Sequence, residues 1–214
     1  MEIQFSNELM KKFGIYVLER KSIWHIASDI YYRLDWRTNK IENLRDWFND
    51  NLHDVTTDIK FREKMVFFRS IEDVDQRAVA ILRHVKGILT YIGDIYTWKL
   101  AEKWQTPLET WLSKKGDCED GALLIAAFFY HCNIPSNQWT VTCGDVIGGG
   151  HCWINYTSGS NALRYHLDWC YWYDDKFVPL RQPFFMDNKY EKIWFGFNDK
   201  KGWKSISNPN KKFR

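Results

Sequence analysis

Up to about Lys60 the apolar positions of the chain follow only a weak period, with one segment as the exception. One face of a helix in "IENLRDWFNDNL" carries four of them: Ile41, Leu44, Trp47 and Phe48. Residues 71–98 repeat apolar residues three and four positions apart, which predicts a further helical segment. Pro107 is placed to open a short helix in "QTPLETWLSKKG". The pattern therefore predicts that helices come first along the chain.

The helix that follows has the clearest predicted boundaries. Asp117 is a good N-cap, and Asp120 falls at the third helical position, as in a capping box. A run of alanine, leucine, isoleucine and phenylalanine comes next, and Asn133 in "NIP" is suited to stop the helix. We predict a helix from Cys118 to about His131, buried on nearly every side.

Beyond this helix the apolar period changes to two. The segments "QWTVTCG", "HCWINYT" and "LRYHLDW" predict three strands, separated by the turn-rich "DVIGGG" and "SGSNA". A last strand is predicted in "YEKIWFGFN". Helices followed by an antiparallel meander make an α+β fold.

Composition and charge exclude some classes of function. A chain of 214 residues can bury a sizeable core, and 12 Trp, 11 Tyr and 14 Phe favour a globule with aromatic-lined clefts. The net charge of +3 comes from interspersed charges, so no nucleic-acid partner is expected. No apolar run approaches the roughly 20 residues that span a bilayer, so no membrane span is expected.

The cysteines point to reduced thiols. Their number is odd, five, and no CxxC occurs, which is typical of a cytosol-like compartment. The first residues lack the apolar core of a signal peptide, so we predict a cytoplasmic protein, with export by another route left open. Four cysteines are interpreted as small core residues rather than zinc ligands: Cys132, Cys143, Cys152 and Cys170.

Cys118 is the candidate nucleophile. A cysteine in the first turn of a helix receives the positive end of the helix dipole, which lowers a thiol pKa. Its neighbours Asp117, Glu119 and Asp120 act in the opposite direction unless they are compensated. The sequence therefore predicts a reactive cysteine, provided that another group compensates the negative charge of these three carboxylates.

A nucleophile of this kind needs a base and an orienting group. His151 follows the glycine-rich loop, and Asp168 lies near the end of the next strand. If these strands pair around "SGSNA", the two side chains face each other across the ladder. His166 is the alternative base, but it stands on the strand of Asp168, roughly 6.6 Å along it. We predict His151 as the base.

Several motifs in order then resemble one family. "GDCED" at the helix start, "NIP" after it, "GHCWI" and "YHLDWC" on successive strands resemble the transglutaminase-like superfamily, most of all its bacterial transglutaminase-like cysteine proteinase branch. "WQTPLETWLSKKG" is similar to the lead-in of that branch, and the resemblance covers about residues 71–173. It implies a papain-like α+β fold with Cys118 as nucleophile, His151 as base and Asp168 as orienter. Cys152 departs from the pattern, since alanine is common there.

The expected chemistry is acyl transfer through a thioester. The first hypothesis is a thiol-dependent amide or peptide hydrolase acting on a protein or peptide. The alternatives are a protein-glutamine acyltransferase that cross-links proteins, and a non-catalytic interaction or assembly module. Residues 1–60 are expected to form a mostly helical extension of unclear role, and residues 61–214 the catalytic core; the oligomeric state is not predicted.

Two further sets of residues are predicted around the nucleophile. Oxyanion donors are sought in the backbone N–H of Cys118 and in the side chains of Gln105 or Trp104. The chemistry requires no cofactor. Clustered carboxylates suit calcium, and the resembled branch includes enzymes that use calcium at "DCED", so Asp117, Glu119 and Asp120 are its candidate ligands. The simpler alternative is that the two aspartates only cap the helix.

Overall fold

The structure is a computed structural model that describes residues 40–97, 103–171 and 187–204. Within these residues the helices are α1 (Lys40–Leu52), α2 (Ile59–Arg69), α3 (Val74–Ile88), α4 (Asp94–Thr97), α5 (Pro107–Ser113) and α6 (Cys118–His131). The strands are β1 (Thr90–Tyr91), β2 (Lys115–Gly116), β3 (Trp139–Val146), β4 (Gly149–Thr157), β5 (Arg164–Leu167), β6 (Tyr190–Phe197) and β7 (Gly202–Lys204). Short 3-10 turns cover Asp54–Thr57 and Ser136–Gln138.

Helix α6 lies at the centre of the core, between the other helices and the sheet. It packs against α3 and α5 on one side and against β3 and β4 on the other. Nearly all of its residues are buried, as its continuous apolar sequence predicts. At its start the backbone N–H of Asp117 donates to Asp120 Oδ2 (3.2 Å), and at its end Asn133 adopts a left-handed conformation with φ of 58°. The predicted limits of this helix are confirmed.

The main sheet is antiparallel, with the strand order β5-β4-β3-β6-β7. The inward side chains of β3 and β4 belong to the core that surrounds α6, and they include Val141, Ile154 and Tyr156. Strand β6 pairs with the free edge of β3, so the last predicted strand does not continue the meander. The predicted α+β class is confirmed.

The predicted helical segment over residues 71–98 is divided in the structure. Helix α3 ends at Ile88 because Leu89 is extended, with φ of −92° and ψ of 141°. Thr90 N–H then donates to Lys114 C=O (2.9 Å) and Ile92 N–H to Gly116 C=O (3.0 Å). The short parallel pair of β1 and β2 therefore brings residues after α3 next to the start of α6.

Helix α1 packs onto the same core as the rest of the described chain. Ile41, Phe48 and Leu52 are buried in it, and the ring of Phe48 meets that of Phe197 edge-on at 5.9 Å. The predicted apolar face of this helix is thereby confirmed. The division at residue 60 stays a prediction, because residues 1–39 lie outside the described part.

The register of β4 and β5 differs from the prediction by two residues. Ile154 pairs with Leu167, and extending this register places Asp168 opposite Trp153 rather than His151. The cause is a hairpin loop in which Ser158 N–H donates to Leu163 C=O (2.9 Å). Asp168 therefore lies diagonally from His151 but on the same face of the sheet, because side chains two apart on a strand share a face.

A buried carboxylate ties this hairpin to α3. Asp75, 4% exposed, accepts hydrogen bonds from Tyr156 Oη (2.7 Å), Ser158 Oγ (2.6 Å), Gly159 N–H (2.9 Å), Ser160 Oγ (2.7 Å) and Ser160 N–H (3.2 Å). Burial acts to raise the pKa of Asp75, but hydrogen bonds led by those from Ser158 and Ser160 lower it overall. The charged carboxylate thus fixes the loop that sets the register of β4 and β5.

Trp169 links the end of β5 to α6. Its indole N–H donates to the carbonyl oxygen of Cys118 (3.2 Å). The indole lies so close to Gly121 that a Cβ there would stand 2.1 Å from Trp169 Nε1. Only glycine at this position allows the contact without displacing the tryptophan.

None of the helices in the described residues combines the length and the apolar character that crossing a lipid bilayer requires.

We expect Asp75→Asn to destabilise the fold by about 3 kcal/mol, since it removes a charged acceptor from several buried donors. The loss is measured as the change in unfolding free energy from urea titration at neutral pH. Asp50→Asn is the matched control at an exposed position of α1, expected within about 0.5 kcal/mol of the wild type.

The pH dependence of the unfolding free energy gives a second comparison of wild type with Asp75→Asn. Because the pKa of Asp75 is lowered on folding, its contribution is complete above the unfolded pKa of about 3.9 and is lost as pH falls below it. The difference between wild type and Asp75→Asn should therefore shrink in acid. A difference that stays constant between neutral and strongly acidic pH would contradict this role.

Gly121→Ala should destabilise the protein by about 1–3 kcal/mol, because the new methyl group overpacks the contact with Trp169. Gly87→Ala is the control: Gly87 is in α3, and an added Cβ meets nothing within 4 Å. That substitution should be neutral or stabilise by up to about 1 kcal/mol through helix propensity. Equal effects of the two substitutions in urea denaturation would contradict the described packing of Trp169.

Candidate active site

Cys118 is the first residue of α6 and is half-buried. Its thiol donates to Glu119 Oε2 (3.2 Å), and ligand atoms of Asp117, Cys118 and Glu119 lie within 4.8 Å of one another. The helix start supplies a positive backbone end, and the hydrogen bond from Trp169 holds the Cys118 carbonyl. The predicted nucleophile is therefore fixed to a buried helix at a position that solvent reaches.

His151 and Asp168 form a buried pair. Their Nε2 and Oδ2 atoms are 2.6 Å apart, and their side chains are 5% and 2% exposed. Asp168 Oδ2 also accepts from Tyr190 Oη (2.8 Å), and Asp168 Oδ1 accepts from the N–H groups of Cys170 (2.9 Å) and Tyr171 (3.3 Å). With both carboxylate oxygens held, Asp168 has one orientation, and it fixes the imidazole in turn.

The orientation of His151 leaves its Nδ1 atom for a reacting group, because Nε2 is engaged by Asp168. The ring lies between Trp153, stacked with centroids 6.0 Å apart, and Tyr171, whose centroid is 4.8 Å away. A carboxylate oxygen of Asp117 lies within 4.8 Å of the Cys118 sulfur, and Trp169, the residue after Asp168, donates to the Cys118 carbonyl. The structure thus brings the pair of His151 and Asp168 to the start of α6.

His166 occupies a different place. It pairs with Asn155 in the ladder of β4 and β5 and is buried. Its ring stacks on Tyr190, with centroids 3.7 Å apart and an interplanar angle of 19°. His151 is hydrogen-bonded to Asp168, and its role as the base stays a prediction.

Gln105 does not supply the predicted oxyanion donor. It is fully buried, and its side-chain amide donates to Asp120 Oδ2 and to the Lys115 carbonyl (3.1 Å). Its backbone N–H donates to Asp120 Oδ1 (2.8 Å). The side-chain amide hydrogens are therefore divided between Asp120 and the Lys115 carbonyl, and the backbone N–H also holds Asp120. Trp104 is half-buried against the core, and its role as a donor stays a prediction, as does that of the Cys118 N–H.

A cluster of buried carboxylates surrounds the start of α6. Asp94, Asp117 and Asp120 have carboxylate oxygens within 4.8 Å of one another. Burial is the main cause that raises the pKa of Asp120 to about 8, and the charge of Asp117 is the second. Burial is also the main cause that raises the pKa of Asp94, to about 7. Burial likewise raises the pKa of Asp117. The three groups repel one another in their charged forms.

This cluster fits a hard divalent cation. Asp94 Oδ1 and Asp117 Oδ1 are buried and find no hydrogen-bond partner among the described residues. Carboxylate oxygens without donors are the ligands that calcium selects. Asp120 differs, because its oxygens accept from Gln105 and from the Asp117 N–H, so it also has the capping role that the simpler alternative predicts.

Sequence analysis missed Asp94, Trp169 and Tyr190 as site residues. Asp94 is far from the nucleophile in sequence and arrives through the pairing of β1 with β2. Tyr190 begins β6, which pairs with the far edge of β3. Trp169 reaches the start of α6 from the end of β5. Sequence signals for these contacts are absent because each depends on non-local pairing.

The comparisons with known proteins support the fold. No model of a protein family matches the chain, and no curated protein does either. A solved structure of Legionella pneumophila LapG matches with a TM-score of 0.54 and 15% identity, over 81% of this chain and 92% of that one. The EGTA-treated form gives 0.53 and 16%, over 78% and 86%. The calcium-bound form gives 0.52 and 17%, over 79% and 88%.

At this identity the likeness shows the fold alone. The helices and the five-stranded antiparallel sheet match the transglutaminase-like fold of these neighbours, as the sequence resemblance implied. Membership of the superfamily and of its bacterial cysteine proteinase branch stays a prediction. The chain therefore has the transglutaminase-like fold.

Proposed function

We propose that this protein is a thiol-dependent peptidase that cleaves an amide bond through a covalent thioester. The observation that carries the proposal is the buried hydrogen bond of 2.6 Å between His151 Nε2 and Asp168 Oδ2. Trp169, the residue after Asp168, donates to the Cys118 carbonyl at the start of α6. The transglutaminase-like cysteine protease fold of the LapG neighbours supports a peptidase-like enzyme in general.

The first step follows from the order of the groups. His151 Nδ1 takes the proton of the Cys118 thiol, and the sulfur attacks the carbonyl carbon of the substrate. The imidazolium that forms is stabilised by Asp168, whose other contacts with Tyr190 and two backbone N–H groups keep it in place. The negative oxygen of the tetrahedral intermediate lies near the N–H groups at the start of α6.

The second step returns the proton. His151 gives it to the leaving amine, and the acyl group stays on Cys118 as a thioester. Water, deprotonated by His151, then attacks the thioester, releases the acid and restores the thiol. Asp168 holds the imidazole in one orientation through both steps, so the same nitrogen acts first as base and then as acid.

We further propose calcium as a ligand of the carboxylate cluster. The LapG structures are described as calcium-bound and EGTA-treated, and the donor-free oxygens of Asp94 and Asp117 fit such an ion here. Glu119 and Asp120 complete the acidic set at the start of α6. When bound, calcium would supply positive charge that offsets the carboxylates around Cys118.

The reactivity of Cys118 tests the catalytic proposal. Iodoacetamide should label Cys118 faster than the other four cysteines, because three of those are fully enclosed and burial raises the pKa of Cys170. His151→Ala should slow the labelling of Cys118. Peptide mass mapping over time gives the five rates, and equal rates at all of them would count against a catalytic thiol.

Peptide-library cleavage by the same variants tests the reaction itself. Wild type should cleave, Cys118→Ala should not, and His151→Ala should lose about 10²–10⁴-fold in kcat/KM. Cys170→Ala is the matched control, as the other half-buried cysteine, and should keep the activity. Incorporation of an amine into a glutamine-containing protein without any cleavage would contradict the peptidase and favour the acyltransferase.

Thermal unfolding tests the calcium proposal without using activity. Calcium should raise the Tm of the chelator-treated protein, since a ligand that binds only the folded state stabilises it. Asp94→Asn should abolish most of this rise, whereas Asp54→Asn, in the 3-10 turn after α1, should not. An unchanged Tm in wild type on adding calcium would end the proposal.

A further inference from the structure

Two cysteines outside the proposed mechanism lie in contact inside the sheet. Cys143 on β3 and Cys152 on β4 are direct partners in the antiparallel ladder. Their sulfur atoms are 3.2 Å apart, and both side chains have no exposed surface. Neither residue belongs to the site, although Cys152 directly follows His151.

The geometry of this pair suits a covalent bond. Directly opposed residues of an antiparallel pair have Cβ atoms about 4.5–5.5 Å apart, close to the roughly 3.5–4.5 Å that a disulfide spans. The two sulfurs already point at each other, with one thiol donating to the other. A small approach of the strands is therefore enough to place the sulfurs at bonding distance.

We propose that Cys143 and Cys152 form a cross-strand disulfide when the chain folds in the presence of a small disulfide oxidant such as oxidised glutathione. One thiolate attacks the oxidant and releases one glutathione, which gives a mixed disulfide on the protein. The second thiolate then attacks that mixed disulfide, forms the Cys143–Cys152 bond and releases the second glutathione. Two protein thiols are oxidised, and one glutathione disulfide is reduced to two thiols.

The burial of the pair decides when the bond forms. Burial raises the pKa of Cys152 in the folded state, and both sulfurs are enclosed, so oxidant does not reach them there. The exchange therefore takes place during folding, before β3 and β4 are covered by α6. Once formed, the bond is protected from reductants by the same burial.

The bond would act on the strand that carries His151. It would fix the register of β3 and β4 one residue from the imidazole, at a point where Gly144 lies opposite His151. The odd cysteine count favoured reduced thiols throughout, but this inference concerns one pair and leaves Cys118 free of it. It does not depend on the proposed function.

The test is to refold the full chain in a glutathione redox buffer or in dithiothreitol, and to compare the products by mass. The oxidised product should be lighter by two hydrogen atoms, and after denaturation three of its five cysteines should react with iodoacetamide. Digestion without reductant should yield a peptide that joins Cys143 to Cys152. The Tm should rise by roughly 5–10 °C and return to the reduced value when the refolded chain is denatured and reduced.

Variants separate this bond from other oxidation. Cys143→Ala and Cys152→Ala should each abolish the mass loss, whereas Cys132→Ala, at another fully buried thiol, should retain it. Five reactive cysteines after oxidative refolding, or a linkage of other residues, would overturn the proposal. A crosslink between Cys143 and Cys152 that lowers the Tm would show that the native register does not accommodate it and would overturn it as well. Peptide cleavage is not among these readouts, so the outcome is independent of the peptidase proposal.

Discussion

The burial of α6 is the constraint on which the rest of the structure depends. Its residues contact helices on one side and the sheet on the other, so the helix has one position relative to both. A helix fixed in this way presents its first turn at a set place, and Cys118 is the first residue of that turn. Full burial also means that polar groups at the helix start have to be satisfied locally.

The polar groups at that helix start form a connected support. Asp120 receives the Asp117 N–H and both the backbone and side-chain N–H groups of Gln105. Gln105 in turn binds the Lys115 carbonyl, and Lys115 belongs to the β2 strand that pairs with β1. The segment from β1 to Asp94 is therefore held, through β2 and Gln105, by the same Asp120 that caps α6. Gln105 therefore belongs to the hydrogen-bonded support of the helix start.

Local patterns in the sequence predicted the elements, because capping residues and apolar periods act within a few residues. The limits of α6, the Pro107 start of α5 and the presence of strands β3 to β6 were predicted in this way. The family resemblance then assigned roles to Cys118, His151 and Asp168, and the structure places His151 and Asp168 in direct contact. These roles, unlike the contacts, stay proposals.

What the sequence did not predict depends on pairing between distant segments. The hairpin loop changed the register by two residues, yet the contact between His151 and Asp168 survived because a shift of two keeps a side chain on its face. Tyr190 reaches Asp168 from a strand on the other side of β3, and Asp94 reaches Asp117 through β1. Gln105 was one of two side chains considered as oxyanion donors, because its hydrogen bonds to Asp120 are not visible in the sequence.

The side chains of β4 alternate between the two faces of the sheet, so the packing of the core and the placement of the site residues depend on the same register. Cys152, Ile154 and Tyr156 belong to the core that surrounds α6, whereas Trp153, two residues from His151, belongs to a separate apolar cluster with Tyr190. A slip of one residue would bury the imidazole in the apolar core and expose Ile154, at a large cost in free energy. The apolar residues that fold the sheet therefore also select the face on which His151 meets Asp168. The position of His151 is set by the packing of its strand as much as by its own hydrogen bond.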